Sequence, residues 1–156
     1  MSIEAAREHL ASYGLADRIQ EFNVSSATVE LAAAALGCEP CQIAKSMAFV
    51  MGERAILVLA AGDVKIDNAK FKATFATKAK MVPFDQVEPL VGHAVGGVCP
   101  IGIRSDVAVY LDESLKRLET VYPACGSSNS AVRLSLPELE RCSGFERWVD
   151  VCKPAV

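Results

Sequence analysis

The stretch from Gly92 to Gly102 has residue types that let a backbone approach a ligand closely. It holds four glycines and one proline, a composition that is poor for the interior of a helix or a strand. A loop of this kind presents main-chain N–H groups with no side chain in the way, and such groups can hold a carbonyl oxygen, a ribose or a phosphate. The same composition is also typical of a structural turn between two strands.

Lys45 is the side chain best suited to chemistry that uses a positive charge. It lies between the apolar residues Ile43, Met47 and Phe49, where a short helical turn is predicted to run into an apolar strand. A half-buried ammonium group needs a partner, and a substrate carbonyl or phosphate could be that partner. The alternative is a lysine whose stem packs on apolar surface while its head stays in water. Ser46 either contacts a ligand beside Lys45 or bonds to the backbone.

The histidines restrict the catalytic mechanisms that are open to the chain. Only His9 and His93 are present, so no Ser-His-Asp constellation can be recovered, and no Gly-x-x-x-x-Gly-Lys-Ser/Thr phosphate loop occurs. His93 could act as a base near neutral pH, whereas Asp112 is explained as the N-cap of a helix. An enzyme built from these residues would act by positioning and by backbone donors.

Six cysteines are present, at positions 38, 41, 99, 125, 142 and 152. Cys38 and Cys41 form a Cys-x-x-Cys motif, which could be half of a zinc site or a redox pair. A structural zinc site needs two more ligands at suitable spacing, and no second Cys-x-x-Cys exists. We therefore expect buried or incidental thiols, no metal and no cofactor, with zinc binding and thiol redox chemistry as the alternatives.

Composition and charge bound the class of protein. The 156 residues predict one domain over residues 1–156. No apolar run has membrane-spanning length, and charges lie where a signal peptide would be apolar. We expect a soluble, cytoplasmic protein with no membrane partner.

Basic residues are concentrated in one part of an otherwise acidic chain. A formal net charge of −3 argues against broad non-specific nucleic-acid binding but leaves room for a local patch. Five lysines form such a patch: Lys65, Lys70, Lys72, Lys78 and Lys80. They indicate either a solvated helix face or a docking surface for phosphates.

Strands and helices are predicted to be interspersed along the chain. The apolar runs 45–51 and 55–61 are joined by Gly-Glu-Arg, which predicts a hairpin, and the second run barely alternates, so both of its faces should be buried. Helices are predicted at 2–13, 27–36, 67–76, 84–91, 112–118 and 136–142, and further strands at 19–24, 80–83, 106–111, 120–124, 131–136 and 149–151. This order predicts an α/β domain with a mixed sheet.

Three motifs, taken in order, resemble the YbaK/EbsC family. Ala-Leu-Gly-x-x-Pro-x-x-Ile-x-Lys occurs at 35–45, and Gly-x-x-x-Gly-Gly-Val-x-Pro-x-Gly occurs at 92–102. Tyr-Leu-Asp-Glu-Ser-Leu occurs at 110–115, followed by Thr-Val-Tyr-Pro-Ala-Cys-Gly at 120–126. The likeness covers roughly residues 25–139. The family comprises free-standing aminoacyl-tRNA deacylases related to the editing domain of bacterial prolyl-tRNA synthetase.

The resemblance implies a fold and a set of site residues. The fold is a single compact domain with a curved mixed sheet flanked by helices. Lys45 would orient the aminoacyl ester in a pocket beside the glycine loop. Substrate contacts would come from Ser46, Gly96, Gly97, Val98, Pro100, Gly102, Gly126 and Asn129. At 126–130 the chain reads Gly-Ser-Ser-Asn-Ser, where better-known relatives carry a Gly-Lys-Arg-Gly type of loop, and this difference bears on substrate specificity and tRNA contact.

The resemblance also implies a function and partners. The chain would be a hydrolase that removes a wrong amino acid in trans from a tRNA, with tRNA for proline carrying alanine or cysteine as the expected substrate. The nucleophile would be water or the substrate's own side chain, and the five lysines would contact the acceptor stem. Prolyl-tRNA synthetase is a candidate partner, and monomer and dimer both stay open. The alternatives are a binding module for aminoacyl-adenosine-like ligands or for a synthetase, without turnover, and a redox or zinc protein that uses Cys38 and Cys41.

Overall fold

The structure, a computed structural model, describes residues 2–155 as ten strands and five helices joined by short 3-10 turns. The helices are α1 (Ser2–Ala11), α2 (Val29–Leu36), α3 (Asn68–Phe75), α4 (Phe84–Val91) and α5 (Leu136–Ser143). The strands are β1 (Ile19–Glu21), β2 (Ile43–Met51), β3 (Arg54–Ala61), β4 (Val64–Ile66), β5 (Ala108–Asp112), β6 (Thr120–Pro123), β7 (Ser130–Val132), β8 (Leu134–Ser135), β9 (Arg147–Val149) and β10 (Cys152–Pro154).

The main sheet is mixed, and its strand order is β8-β6-β2-β3-β5-β9. The β2–β3 and β6–β8 pairs are antiparallel, whereas β2–β6, β3–β5 and β5–β9 are parallel. Two small antiparallel sheets, β1–β7 and β4–β10, complete the topology. This curled mixed sheet flanked by helices confirms the predicted fold class. Within the part of the chain that is described, no helix is long and apolar enough to cross a membrane.

The hairpin is confirmed, and β3 is the centre of the core. Met51 pairs with Arg54 across a turn in which Gly52 adopts a φ of 66°, a conformation that glycine takes at little cost. Every residue of β3 after Arg54 is buried. Its side chains divide between two apolar clusters, with Leu57 and Leu59 on one face of the sheet and Val58 on the other. Burial of both faces explains why this strand lacks the alternation of a half-exposed one.

Buried polar contacts tie the end of the chain to the sheet. Asp112 is 1% exposed. One of its carboxylate oxygens accepts from the Ser114 N–H and the other from the Val151 N–H, both at 2.9 Å. Its predicted capping role is therefore present, although the helix that it caps is a 3-10 segment, Glu113–Arg117. The carboxylate also anchors the turn between β9 and β10.

Some predicted elements differ from the observed ones. The strand predicted at 80–83 is a single bridge between Met81 and Phe49. The strand predicted at 131–136 divides at Arg133 into β7 and β8, which join different sheets. The edge strand predicted at 149–151 begins earlier, as β9 at the edge of the main sheet. Strands β4 and β10 were not predicted, because each is three residues long and is held mainly by pairing with the other.

Candidate active site

A cavity of about 260 Å³ opens between the first half of β2, the start of α2 and the glycine loop. Segments 122–124 and 130–131 and the residues before α4 complete its wall. Small side chains leave the room for it, since six alanines line it: Ala27, Ala32, Ala44, Ala48, Ala124 and Ala131. The two motifs that carry Lys45 and the glycines are distant in sequence, and the fold brings them to one cavity.

Lys45 lines the cavity, and its ammonium already has a partner inside the protein. The side chain is half-buried, and Nζ donates to the backbone carbonyl of Val64 at the start of β4. Asp63 lies close by, and its pKa is lowered, first by the hydrogen bond from Arg117 and, to a smaller extent, by the charge of Lys45. A lysine held in this way is positioned, and because an ammonium group has three N–H donors, it can contact a substrate group while it keeps the Val64 carbonyl or in its place.

Ser46 offers the cavity a polar group that lacks a partner. Its Oγ is buried, and it has no hydrogen-bond partner among the described residues. A buried hydroxyl without a partner costs free energy, so most such groups in native proteins are satisfied. Ser46 lines the cavity, but its Oγ has almost no accessible surface, so the side chain would have to rotate for a ligand carbonyl or hydroxyl to supply the missing hydrogen bond.

Within the glycine loop, Gly96 and Val98 lie at the cavity. Gly96 has a φ of 94°, which favours glycine. Among the described residues, no hydrogen-bond acceptor is found for the backbone N–H of Gly96 or of Val98. Backbone N–H groups without acceptors can serve as donors for a developing negative charge where they point into a site, the arrangement on which oxyanion holes depend.

Three other predicted residues of the glycine loop do not line the cavity. Gly97 packs against the loop that follows β6: its carbonyl accepts from the Gly126 N–H at 3.0 Å, and a Cβ on Gly97 would lie 2.4 Å from the Ser127 nitrogen. Gly102 packs against α1, where a Cβ would lie 2.7 Å from the backbone carbon of Ala5. Pro100 is buried. These three residues therefore pack the loop against the rest of the protein and do not contact the cavity.

Gly126 and Asn129 also lie outside the cavity wall. Asn129 Nδ2 donates to the Phe22 carbonyl at 3.0 Å, and the Phe22 N–H donates back to the Asn129 carbonyl at 2.8 Å. Asn129 therefore connects the loop to the segment after β1 through two hydrogen bonds. Ser130, the first residue of β7, does line the cavity, together with Ser26.

Sequence reasoning missed several residues of the cavity wall. Thr28 caps α2 by accepting from the Leu31 N–H, and its position before an alanine-rich helix was the signal that could have located it. Tyr122 and Val87 carry no such signal, because their place at the cavity depends on how the sheet curls. The start of α2 also brings the positive end of a helix to the cavity wall.

His93 does not line the cavity, and its side chain is fully buried. Its Nε2 lies 2.6 Å from the Ile101 carbonyl, and because a carbonyl can only accept, Nε2 carries the proton. Burial lowers the pKa of His93 below 6.5. The geometry is that of a neutral core histidine and not of a general base.

The cysteines divide into two half-buried and four buried thiols. Burial raises the pKa of Cys38 and holds that of Cys99 far above its usual value. Desolvation likewise raises the pKa of Cys125 to about 12 and that of Cys142 to about 11. The described residues contain no group of three or more His, Cys, Asp or Glu side chains that could hold a metal ion.

The five predicted tRNA-contacting lysines lie on β4, on α3 and in the segment that follows α3. Lys70 donates to Asp150 at 3.1 Å and to the Cys152 carbonyl at 2.9 Å, so it is tied to the end of the chain. Lys65 lies on β4, which pairs with β10. Lys78 and Lys80 share a shallow depression near the end of the β2–β3 hairpin.

Comparisons with known proteins agree with this geometry. The sequence model described as an aminoacyl-tRNA editing domain matches residues 24–142. YwhH, an uncharacterized protein of Bacillus subtilis, is 48% identical over 154 residues, which are 98% of each chain. The proline--tRNA ligase of Bacillus velezensis is 32% identical over 136 residues, which are 86% of this chain and 23% of the ligase.

One solved structure supports the same relationship. It is described as a candidate trans-editing enzyme for prolyl tRNA synthetase, and it superposes with a TM-score of 0.87 at 29% identity over 97% of both chains. The chain thus spans about a quarter of the proline--tRNA ligase that it matches and nearly all of the free-standing proteins.

Proposed function

Since the chain belongs to the aminoacyl-tRNA editing domain family, we propose that it is a trans-editing deacylase. It would hydrolyse the ester between a wrong amino acid and the terminal adenosine of a tRNA. One observation carries the proposal: Lys45, Ser46, Gly96 and Val98, from two distant motifs, line a single cavity. The hydroxyl of Ser46 lacks a partner and the backbone N–H groups of Gly96 and Val98 lack acceptors, and donors of this kind can stabilise an acyl-transfer transition state.

The size of the cavity supports a small amino acid as the group to be removed. Its volume of about 260 Å³ is below the roughly 300–1,000 Å³ of sites for drug-sized ligands. The alanines of the wall provide apolar surface for a short side chain such as that of alanine or cysteine. The similarity to proline--tRNA ligases supports tRNA for proline as the carrier and prolyl-tRNA synthetase as a partner.

The mechanism uses position and backbone donors. The ester carbonyl would accept from the N–H groups of Gly96 and Val98 and from Ser46 Oγ, and the Lys45 ammonium would turn from the Val64 carbonyl to orient the ester. Water, or a nucleophilic side chain of the substrate, attacks the carbonyl carbon. The carbon–oxygen bond to the ribose then breaks, and the ribose oxygen takes a proton. Aminoacyl esters are already activated, so orientation can supply much of the rate.

A panel of aminoacyl-tRNAs tests this function. The purified chain is incubated with tRNAs that carry alanine, cysteine, proline and larger amino acids, and the release of each amino acid is followed over several turnovers. We expect multiple-turnover release of the small amino acids. Tight binding with no release would support the binding module instead. Release that stops on metal chelation, or in a Cys38→Ser, Cys41→Ser double variant, would support the zinc or redox alternative.

A further inference from the structure

An aromatic side chain stands unusually exposed beside the candidate site. Phe84, the first residue of α4, is 79% exposed, which is the largest value among the large hydrophobic side chains of the described residues. It lies three positions before Val87, which is buried and lines the cavity. Residues three apart lie on the same side of a helix, so Phe84 is placed on the side of α4 that leads to the cavity.

Two more exposed apolar side chains connect Phe84 with the cavity. Met81 is 57% exposed and Val95 is 46% exposed, and both line the cavity. Val95 also lines a shallow depression with Phe84, Pro89 and Ala94. The cavity and the depression therefore adjoin at Val95, and together they form one apolar path from the site out to Phe84.

The depression also carries two carboxylates and no basic group. Asp85 and Glu88 line it beside Phe84. Carboxylates repel a phosphate, but they accept hydrogen bonds from an amino group such as the exocyclic N6 amine of adenine. An exposed aromatic ring stacks on a base of any kind. This chemistry fits the flat face of an adenine together with its amine-bearing edge, and it does not fit the sugar-phosphate backbone.

We propose that Phe84, with Met81 and Val95, forms a stacking platform for the adenine base of the terminal nucleotide of the substrate. The inference rests on the proposed function, because an amino acid bound in the cavity is joined through its ester to the ribose of that nucleotide. The ribose then lies at the cavity mouth, and its base falls on the adjoining depression. Asp85 and Glu88 accept from the amine, so the platform positions the ester before hydrolysis.

Kinetics on charged tRNA test the platform. Base stacking is worth about 1–3 kcal/mol by alanine substitution, so Phe84→Ala should lower kcat/KM by roughly 5- to 150-fold, mainly through a higher KM. Phe84→Tyr, which keeps the ring, should stay within about twofold of wild type. Tyr13→Ala removes another exposed aromatic side chain, which lines neither the cavity nor the depression. This variant should leave kcat/KM unchanged. Unchanged kinetics in Phe84→Ala would overturn the proposal.

Binding of the trinucleotide CCA separates this inference from the proposed function. Chemical-shift changes on titration should centre on Phe84 and Val95 and should be lost in Phe84→Ala. If the wild type hydrolyses no charged tRNA but binds CCA in this way, the deacylase function fails while the platform stands. If CCA perturbs neither residue, the platform fails. A trinucleotide ending in inosine, which lacks the amine, should bind more weakly, and equal affinity would remove Asp85 and Glu88 from the proposal.

The surface could instead be covered by a second copy of the chain. Sedimentation of wild type and Phe84→Ala decides between these occupants. A single species of unchanged size supports the nucleotide platform. A dimer that dissociates in Phe84→Ala, with unchanged CCA binding, would overturn it.

Discussion

At the scale of single residues, Lys45 and His93 show why residue type alone does not assign a role. Both are ionisable residues of motifs that could carry chemistry. Lys45 lies on the cavity wall with its ammonium on a backbone carbonyl, a contact that a substrate could replace. His93 is fully buried on the Ile101 carbonyl, away from the cavity. The surroundings of each group therefore favour Lys45 as the functional one.

Replacement of Lys45 tests its role in orienting the ester. Lys45→Ala should lower kcat/KM on the preferred aminoacyl-tRNA by about 100-fold, since misplacement of a reacting group by about 1 Å has an effect of that size. The free energy of unfolding should fall by only about 1 kcal/mol, from loss of the hydrogen bond to Val64. Lys116→Ala, an exposed lysine outside the predicted patch that pairs with Glu113, is the matched control. A fully active Lys45→Ala variant would place the chemistry elsewhere.

His93 should make the free energy of unfolding depend on pH. Because burial lowers its pKa in the folded chain below the usual 6.5, the unfolded chain binds a proton there that the folded chain does not. Stability should therefore fall as the pH drops below about 6.5, by up to about 1.4 kcal/mol per pH unit, until the lowered pKa is reached. Urea unfolding between pH 5 and pH 8 measures this slope.

Replacement of His93 is the control for this slope. His93→Gln should flatten the pH dependence in the stated range. An unchanged slope in His93→Gln would show that other groups carry the pH dependence.

At the scale of elements, two loops and one strand define the cavity. The glycine loop and the loop after β6 dock backbone against backbone through Gly97 and Gly126. Strand β2 contributes small residues, and among them Ala48 is 6% exposed. The loops set the position of the backbone donors, while the strand sets the size of the space before them.

Gly97→Ala should destabilise the protein as well as reduce its activity. A Cβ there would lie 2.4 Å from the Ser127 nitrogen, and such overpacking costs about 1–3 kcal/mol or more. Gly14→Ala is the matched control, because Gly14 has a φ of 72° but no atom near its Cβ position, so only about 1 kcal/mol of backbone strain is expected. Thermal unfolding measures both. Equal losses would mean that the two loops adjust easily.

Ala48→Val should change the amino acid that is accepted. The valine fills part of the cavity, and each methylene that a pocket cannot hold is worth about 1–3 kcal/mol. Release of cysteine should therefore fall about tenfold or more relative to release of alanine. Ala55→Val, a buried position of β3 outside the cavity wall, should leave this ratio unchanged. An unchanged ratio in Ala48→Val would indicate that the side chain binds elsewhere.

At the scale of the whole molecule, an acidic protein must attract a polyanion with a local surface. The formal net charge is −3, and the lysines of the predicted patch lie on β4, on α3 and in the segment that follows α3. Lys70 is engaged with Asp150. Lys72 is exposed on the last turn of α3, and Lys78 and Lys80 are exposed near the hairpin. The exposed lysines that no acid holds are the better candidates for phosphate contact.

Charge reversal tests this surface. Changing Lys72, Lys78 and Lys80 to Glu should raise the KM for charged tRNA and lower the salt dependence of binding by roughly one unit per lost phosphate contact. Hydrolysis of a small aminoacyl ester should stay unchanged, because the cavity is untouched. Lys70→Glu is the contrasting variant, and we expect it to lower the melting temperature. If charged tRNA and the small ester are affected equally, the three lysines serve folding.

The sequence by itself determined the features that depend on neighbours along the chain. The hairpin around Gly52, the helix that begins after Asp67, and the doubly buried run of β3 follow from local conformational preference and from the spacing of apolar residues. The family follows from motif order, and the fold class follows from the family and from the alternation of elements. For these features the deciding interactions lie within a few residues of each other.

Only the tertiary structure decided which motif residues line the cavity. No local sequence feature distinguishes Gly96, which lines the cavity, from Gly97, which packs on another loop. The sequence likewise does not show that the Asn129 side chain donates a hydrogen bond to the Phe22 carbonyl. The β4–β10 pair was missed for the same reason, since each three-residue strand depends on a partner at the other end of the chain. These outcomes are set by contacts between residues distant in sequence, which no local pattern encodes.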